Sequence, residues 1–421
     1  MLLAIAVLPA VAGDWYSRNR NKAVVAAVLG APTIAYLLVG FGRLGLDNVG
    51  GIAGEYLSFM ILMLTLYTIS GGIYLTGNLL GTPRNNFIFL LIGALLANLI
   101  GTTGAAMVLI RPLLRANSER TRTRHVVIFF IFVVCNIGGI LLPLGPPLFL
   151  GVLQGVSFSW TLRLWPEWLL VVGLVLALFV AIDIYHYRRE PRASLRADAA
   201  DYVPMRIAGK VNLLCFAGAV LIVVLSGPLA TAGQHIGFPY LREAGLLVMM
   251  ALSLILGPRG PRAANHFRWG PIVEVAVLFA GIFAVMIPAL ALLQAKGSDI
   301  GLTQPWHYFW ASGGLSAFLD NGPTYLAFTA AAQGQVGAVS AAGLMSTHVV
   351  AGVAPSTLLA AVSCGASMMG ALSYIGNAPN FMVKAVAEAS GLKMPSFVSY
   401  LGYAAIILLP IFAVVTLVFF R

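Results

Sequence analysis

Residues Asn86–Arg124 read NFIFLLIGALLANLIGTTGAAMVLIRPLLRANSERTRTR. The apolar part, 86–114, is long enough to cross a bilayer, since about 20 apolar residues suffice. Two features complicate that reading: GTTG at Gly101–Gly104 interrupts the middle, and five arginines crowd residues 111–124. The stretch is either one kinked span or a hairpin that enters and leaves by the same face. Basic loops gather on the cytoplasmic side of a membrane protein, and the other rich loops are 18–22, 188–210 and 259–268. A single crossing at 86–114 would put 111–124 and 188–210 opposite 18–22, whereas a hairpin returns all of them to one side.

Composition supports a membrane reading throughout. The chain has 421 residues, 60% apolar and 9% charged, against roughly 25% charged in an average soluble domain. So few charges cannot cover a soluble surface of this size, which excludes an ordinary soluble enzyme. The net charge of +11 resides in short loops between apolar runs, without a nucleic-acid-binding motif, so membrane topology explains it better than nucleic acid. Cys135, Cys215 and Cys364 each lie inside an apolar run, with neither CxxC spacing nor a histidine cluster to suggest a disulfide framework or zinc. Residues 1–13 are apolar but lack a basic leader, so a cleaved signal peptide is not expected.

Apolar runs fall at 23–41, 56–77, 125–156, 168–187, 210–229, 240–257, 272–293, 355–390 and 397–420, with 1–13 a short leading segment. Residues 306–332 repeat the ambiguity of 86–114, with DNGP at Asp320–Pro323 in the middle. Reading both as hairpins leaves only Arg43, Arg163, Arg242, Lys296 and Arg421 outside, and about ten crossings. The hairpins then enter from opposite faces. The fold predicted is an all-α polytopic membrane protein built as an inverted repeat of about five transmembrane helices plus one re-entrant hairpin each, with broken helices at the centre. Its first repeat is 1–187 (hairpin 86–114, broken helix 125–156), its cytoplasmic linker 188–209, and its second repeat 210–421 (hairpin 306–332, broken helix 355–390). Echoes support the symmetry: Gly93, Leu95, Ala97 and Leu99 align with Gly313, Leu315, Ala317 and Leu319, and LLPLGPPLF (Leu141–Phe149) lies over LSYIGNAPNF (Leu372–Phe381).

Unwound backbone cannot face lipid, so a break in a membrane helix must line a cavity or a site. Four breaks occur, at Gly101–Gly104, Asn136–Pro147, Asp320–Pro323 and Ser373–Asn380, carrying Thr102, Thr103, Asn136, Asn321, Thr324, Ser373, Asn377 and Asn380. Asp320 is the most informative residue. A carboxylate between apolar runs costs at least about 2.5–3.5 kcal/mol on insertion scales and usually marks an ion or proton pathway. Asn321, Gly322 and Pro323 beside it suit an unwound cation site of hard oxygen ligands, where a proton and a cation would compete for one carboxylate. The plainer reading is that Asp320 caps the helix that follows. Asn136 is equally a ligand or a satisfied interhelical hydrogen-bonder, and Thr102 and Thr103 either line the site or bond their own helix. Glu274 and Asp183 read as interfacial residues, the latter pairing near Arg188, and His348 as a structural hydrogen-bonder before a proton carrier. No HExxH, GxSxG, P-loop or dinucleotide fingerprint is present, so no enzyme chemistry and no cofactor are expected.

The segments GTTGAAMVLIRPLLRAN, CNIGGILLPLGPPLFLG, LSAFLDNGPTYLAF and LSYIGNAPNFMVKAVAE resemble the bacterial citrate-transport and sodium:proton antiporter family (CitMHS-like, NhaD-like). That family is a branch of the ion transporter superfamily that also holds arsenite permeases and divalent-anion/sodium symporters. The resemblance runs from about residue 15 to 400. It implies a homodimer in the bacterial inner membrane with a scaffold part and a mobile transport part, sodium or proton coupling, and elevator-like alternating access. The resemblance implies an acidic residue between the glycine and the two prolines of the first broken helix; here Gly145 is followed directly by Pro146 and Pro147, which implies fewer ion sites, altered stoichiometry or lost activity. It also implies a longer first helix than 1–13.

The sequence therefore points first to a sodium (or lithium):proton antiporter with Asp320 as the shared acceptor, sodium being its only metal. A sodium- or proton-coupled transporter of citrate or another carboxylate comes second, since no Lys or Arg lies at any break although helix N-termini alone can hold carboxylates. A non-transporting membrane scaffold comes last, because a scaffold gains nothing from an intramembrane carboxylate.

Overall fold

The computed structural model describes the chain except residues 1–3, 5–7, 9–11, 17, 201–202, 226–228, 230–235, 237, 239 and 351. The leading segment 1–13 therefore falls largely outside the described residues. The architecture is an all-α polytopic membrane protein, with six described helices long and apolar enough to cross a membrane.

The first long helix, α1 (Asn19–Gly71), runs for 53 residues, about 80 Å if straight, far beyond a bilayer. It folds back at Gly42, whose φ of 54° and ψ of −121° break the helical path. Both arms reach the same neighbour, α9 (Gly270–Lys296): Lys22 Nζ lies 2.5 Å from Glu274, and Tyr56 donates to Ala276 O at 2.9 Å. The sequence reading placed a loop between 41 and 56; the structure keeps residues 43–71 helical. Unpaired backbone is costly in lipid, and no proline interrupts this glycine-rich stretch.

Helix α2 (Pro83–Ala116) reverses at Gly101. Its φ of 68° with ψ of 159° lies in a region open essentially only to glycine. Positions equidistant from Gly101 meet. A side chain at Gly93 would touch Leu109 at 3.2 Å, although 16 residues of straight helix would separate them by about 24 Å. At the base, Asn86 and Asn117 exchange amide hydrogen bonds of 3.0 and 2.8 Å. The second reversal joins α10 (Pro305–Ser316) to α11 (Asn321–Val336), which pack on each other across residues 317–320.

Each reversal is followed by a broken helix. The first is α3 (Arg124–Val133), a 3₁₀ turn at Ile137–Ile140 and α4 (Pro146–Leu153). The second is α12 (Pro355–Met368), a 3₁₀ turn at Met369–Leu372 and α13 (Ala378–Ala389). Each is completed by a long helix, α5 (Trp165–Tyr187) and α14 (Phe397–Phe419). The packing is reciprocal. The opening half of each broken helix lies against its own reversal, α3 on α2 and α12 on α10, whereas the closing half lies against the other one, α4 on α11 and α13 on α2. Helices α1, α7 (Lys210–Val224), α8 (Leu241–Leu256) and α9 form a second group, joined to the first through α9 with α11 and α1 with α2.

Residues 188–209 are more than a linker. They contain α6 (Arg192–Ala200) and β2 (Val203–Ala208), which pairs antiparallel with β1 (Tyr74–Asn78), Tyr74 opposite Ala208. This two-stranded ribbon is a small addition to an otherwise helical architecture. Around it the basic loops are stitched together. Arg115 donates to Leu75 O at 2.7 Å, Arg111 to Asn265 O at 3.0 Å, Arg120 to Gly81 O at 2.9 Å, and Asp198 accepts from Gly81 N at 2.9 Å. With Lys22 beside Glu274, the loops 18–22, 111–124, 188–210 and 259–268 share one end of the molecule.

At that end the base of the first reversal is pinned to α5. Asp183 accepts from Arg120 at 2.6 Å, His125 lies 2.8 Å from it and Asn86 donates to it at 2.9 Å; the side chains of Arg120 and Asp183 are fully buried. Asp183 is thus an ion-pairer whose partner is Arg120 and not Arg188. Glu190 receives the Thr121 hydroxyl at 2.7 Å and the amides of Thr121 and Arg122 at 3.0 and 2.8 Å. Burial raises its carboxyl, but these bonds and Arg120 outweigh that and hold it below the ordinary 4.5. Its ion pair with Arg120 Nε, at 3.8 Å, is too long for a hydrogen bond.

Candidate functional site

The four breaks touch in a chain across the centre. The tip of the α2 reversal lies on the first broken helix: Asn98 Oδ1 accepts from Leu141 N at 2.7 Å, and a side chain at Gly139 would meet the Thr102 methyl at 2.7 Å. The two broken helices meet through amides. Asn136 donates to Asn380 Oδ1 at 2.8 Å and to Ile131 O at 2.8 Å, and Asn377 donates to Cys135 O at 2.8 Å and to Asn136 Oδ1 at 3.3 Å. Asn380 spends its own donors on Gly370 O and Ser373 O, at 2.9 and 2.8 Å. The second broken helix then touches the other tip, where Ser373 donates to Ala317 O. Gly376 completes that contact; a side chain there would come within 2.7 Å of Ser316 O.

This amide clasp satisfies unwound backbone that has no helical partner. It engages the donors of Asn136, Asn377 and Asn380, so those residues join the two halves directly. Removing Asn377 leaves Cys135 O and Asn136 Oδ1 without it, and a buried group stripped of its partner costs about 1–3 kcal/mol. Asn377→Ala should lower the detergent-unfolding free energy by that amount. Combined with Asn136→Ala it should lose less than the sum of the two single changes, because both delete the same contact.

Asp320 sits at the second tip, partly accessible, as the N-cap of α11. The capping role is therefore real but slack. Its Oδ1 accepts from Gly322 N at 3.4 Å, near the limit of a hydrogen bond. Beside it Asn321 is buried with Oδ1 unpartnered. Thr324 is buried too, but its hydroxyl donates to Asp320 O at 3.0 Å, a bond inside its own helix. Thr102 is buried and Thr103 half-buried, and Thr102 presents its methyl to Gly139. Asp320 and the unpartnered amide oxygen of Asn321 thus lie together at the second tip, with the clasp behind them. His348 is exposed on its connection, and Glu274 pairs with Lys22.

Three supports escaped the sequence reading. Asn98 bonds across 43 residues to Leu141; its only signal was an amide three positions before Gly101 inside an apolar run. Trp168, the fourth residue of α5, donates to Gly138 O at 2.8 Å, and Tyr400, the fourth of α14, donates to Ala371 O at 2.9 Å. Each ties off the 3₁₀ turn of its own broken helix. At the first break Gly145 caps α4 without a side-chain bond and Pro146 follows.

A family described as "Putative citrate transport" matches residues 1–420. The chain belongs to that family. It is thus a multi-pass membrane protein of a transporter family. No curated protein matches the chain.

Proposed function

We propose that this member of the citrate-transport family is a secondary transporter that exchanges sodium or lithium for protons, with Asp320 holding one or the other in turn. The observation that carries the reading is found at the second tip: a carboxylate held only by the nearby amides of Gly322 and Asn321, and a buried amide oxygen with no partner among the described residues. Hard oxygens in a dehydrated setting suit a small cation, and a carboxylate at that depth marks an ion or proton pathway. Asp320 and Asn321 would supply first contacts, with Thr102 and Thr103 facing from the other tip. Asn136, Ser373, Asn377 and Asn380 keep the two breaks together.

Reciprocal packing of the two broken helices supports an inverted repeat with re-entrant hairpins. On that reading α1 and α7–α9 form a scaffold against which the hairpin group moves, and the shared basic end faces the cytoplasm of a bacterial inner membrane. Cysteines placed at the exposed Ser118 and Ala193 should then both react with impermeant thiol reagents only from that face.

The family description favours a second reading, uptake of citrate coupled to the same carboxylate. The half-helices α4 and α13 begin at the centre, and their N-termini carry partial positive charge. A pH-gradient dequenching assay in everted vesicles separates the two. Antiport predicts proton movement on adding sodium or lithium. Proton or sodium movement only when citrate is present would replace it with the second reading.

A further inference from the structure

We infer that the chain holds a lipid headgroup of the phosphoethanolamine type in a cavity remote from the ion path. The cavity, about 200 Å³, is lined by Trp160, Arg163, Glu167, Ser356, Thr357 and Phe420 among others. It lies where α5 and α12 begin and α14 ends. Asp183, near the other end of α5, belongs to the basic end of the molecule; the sixteen residues between Glu167 and Asp183 span about 24 Å. The cavity is therefore at headgroup depth on the face opposite the basic loops.

Two buried groups there lack partners. Among the described residues Trp160, 5% exposed, finds no acceptor for its Nε1, and Glu167, 8% exposed, finds no donor for its Oε2. Buried polar groups are rarely left so, and each such orphan points to an unseen partner. Arg163 is exposed beside them and forms no ion pair among the described residues. Trp160 and Arg163 call for an anionic acceptor. Glu167 calls for a cationic donor, and the Ser356 and Thr357 hydroxyls serve either. One ligand that meets both demands is a zwitterion with a phosphate and a primary ammonium.

The surroundings favour a lipid as its source. Trp165 is 59% exposed, Leu162 48% and Leu169 55% on the same segment, an apolar and aromatic surface suited to acyl chains beside a headgroup. Glu167 also sets a preference. A primary ammonium offers three N–H donors, whereas a trimethylammonium offers none. The cavity joins the start of α5 to the start of α12, so the bound lipid bridges the two halves.

The test uses the full chain in mixed-lipid nanodiscs, counting retained phosphatidylethanolamine, phosphatidylcholine and phosphatidylglycerol by native mass spectrometry. The ethanolamine lipid should be retained about tenfold over the other two, the ratio expected for one hydrogen bond to a charged group. Glu167→Gln should abolish the preference over phosphatidylcholine, Arg163→Gln should weaken both zwitterionic lipids alike, and Trp160→Phe should weaken them to a smaller degree. Equal retention of ethanolamine and choline lipids by the unaltered chain, which needs no variant, would overturn the proposal. So would an unchanged preference in a folded Glu167→Gln. Soluble glycerophosphoethanolamine competing as strongly as the lipid would assign the cavity to a free ligand and overturn the lipid source.

Discussion

Asp320→Asn should reduce sodium-evoked and lithium-evoked proton movement in everted vesicles to the background of empty vesicles. Asparagine keeps the shape and the cap on Gly322 N but can neither take up a proton nor neutralise a cation. Asp320→Glu should retain part of the activity, because the charge survives while its oxygens move by a methylene from the Asn321 amide. The contrast matters, since the cap alone would tolerate asparagine without loss. Full activity in Asp320→Asn would reduce Asp320 to a helix cap and remove the carboxylate from the mechanism.

The second large effect is structural. Arg120→Gln should destabilise the folded protein by about 3–5 kcal/mol, the usual cost of leaving one member of a buried ion pair behind. Asp183 and Glu190 would lose their guanidinium, and the base of the α2 reversal would lose its bond to Gly81 O. Thermal unfolding in detergent measures this directly. The same cluster predicts acid sensitivity. Because the folded state holds the Glu190 carboxyl below the ordinary 4.5, its contribution is present above that value and fades as the pH falls through the lower, folded value. Glu190→Gln should flatten the acid limb of the stability profile.

Charge suggested a turn within 86–114, since five arginines after an apolar stretch can share a side with the other basic loops only if the chain turns back, and the helix breaks at Gly101. GTTG marked the place because glycine alone tolerates the backbone angles found there. Asp320 stood out because carboxylates are expensive in apolar runs. The loop expected between 41 and 56 was misread. Its glycines, asparagine and aspartate look like a turn, but in a bilayer the backbone satisfies itself best as helix, and the fold concentrates the bend in Gly42. The partner of Asp183 was misplaced for a related reason. Sequence proximity suggested Arg188, whereas the end of the α2 reversal delivers Arg120 to the same spot from 63 residues away. The interhelical hydrogen bonding of Asn136 was one of the two roles open to it, but its partners were not legible, since Asn136 and Asn377 are 241 residues apart. Nothing local distinguishes an amide that crosslinks two breaks from one that awaits an ion.

Asp320 should hold a proton or a cation, never both. Proton release from the purified protein tests it without vesicles, lipid gradients or an assumed direction of transport. Adding sodium or lithium in weakly buffered detergent solution should release up to one proton per chain at a pH where Asp320 is protonated, and none from Asp320→Asn. Cation binding without proton release, or the same release from Asp320→Asn, would contradict the account.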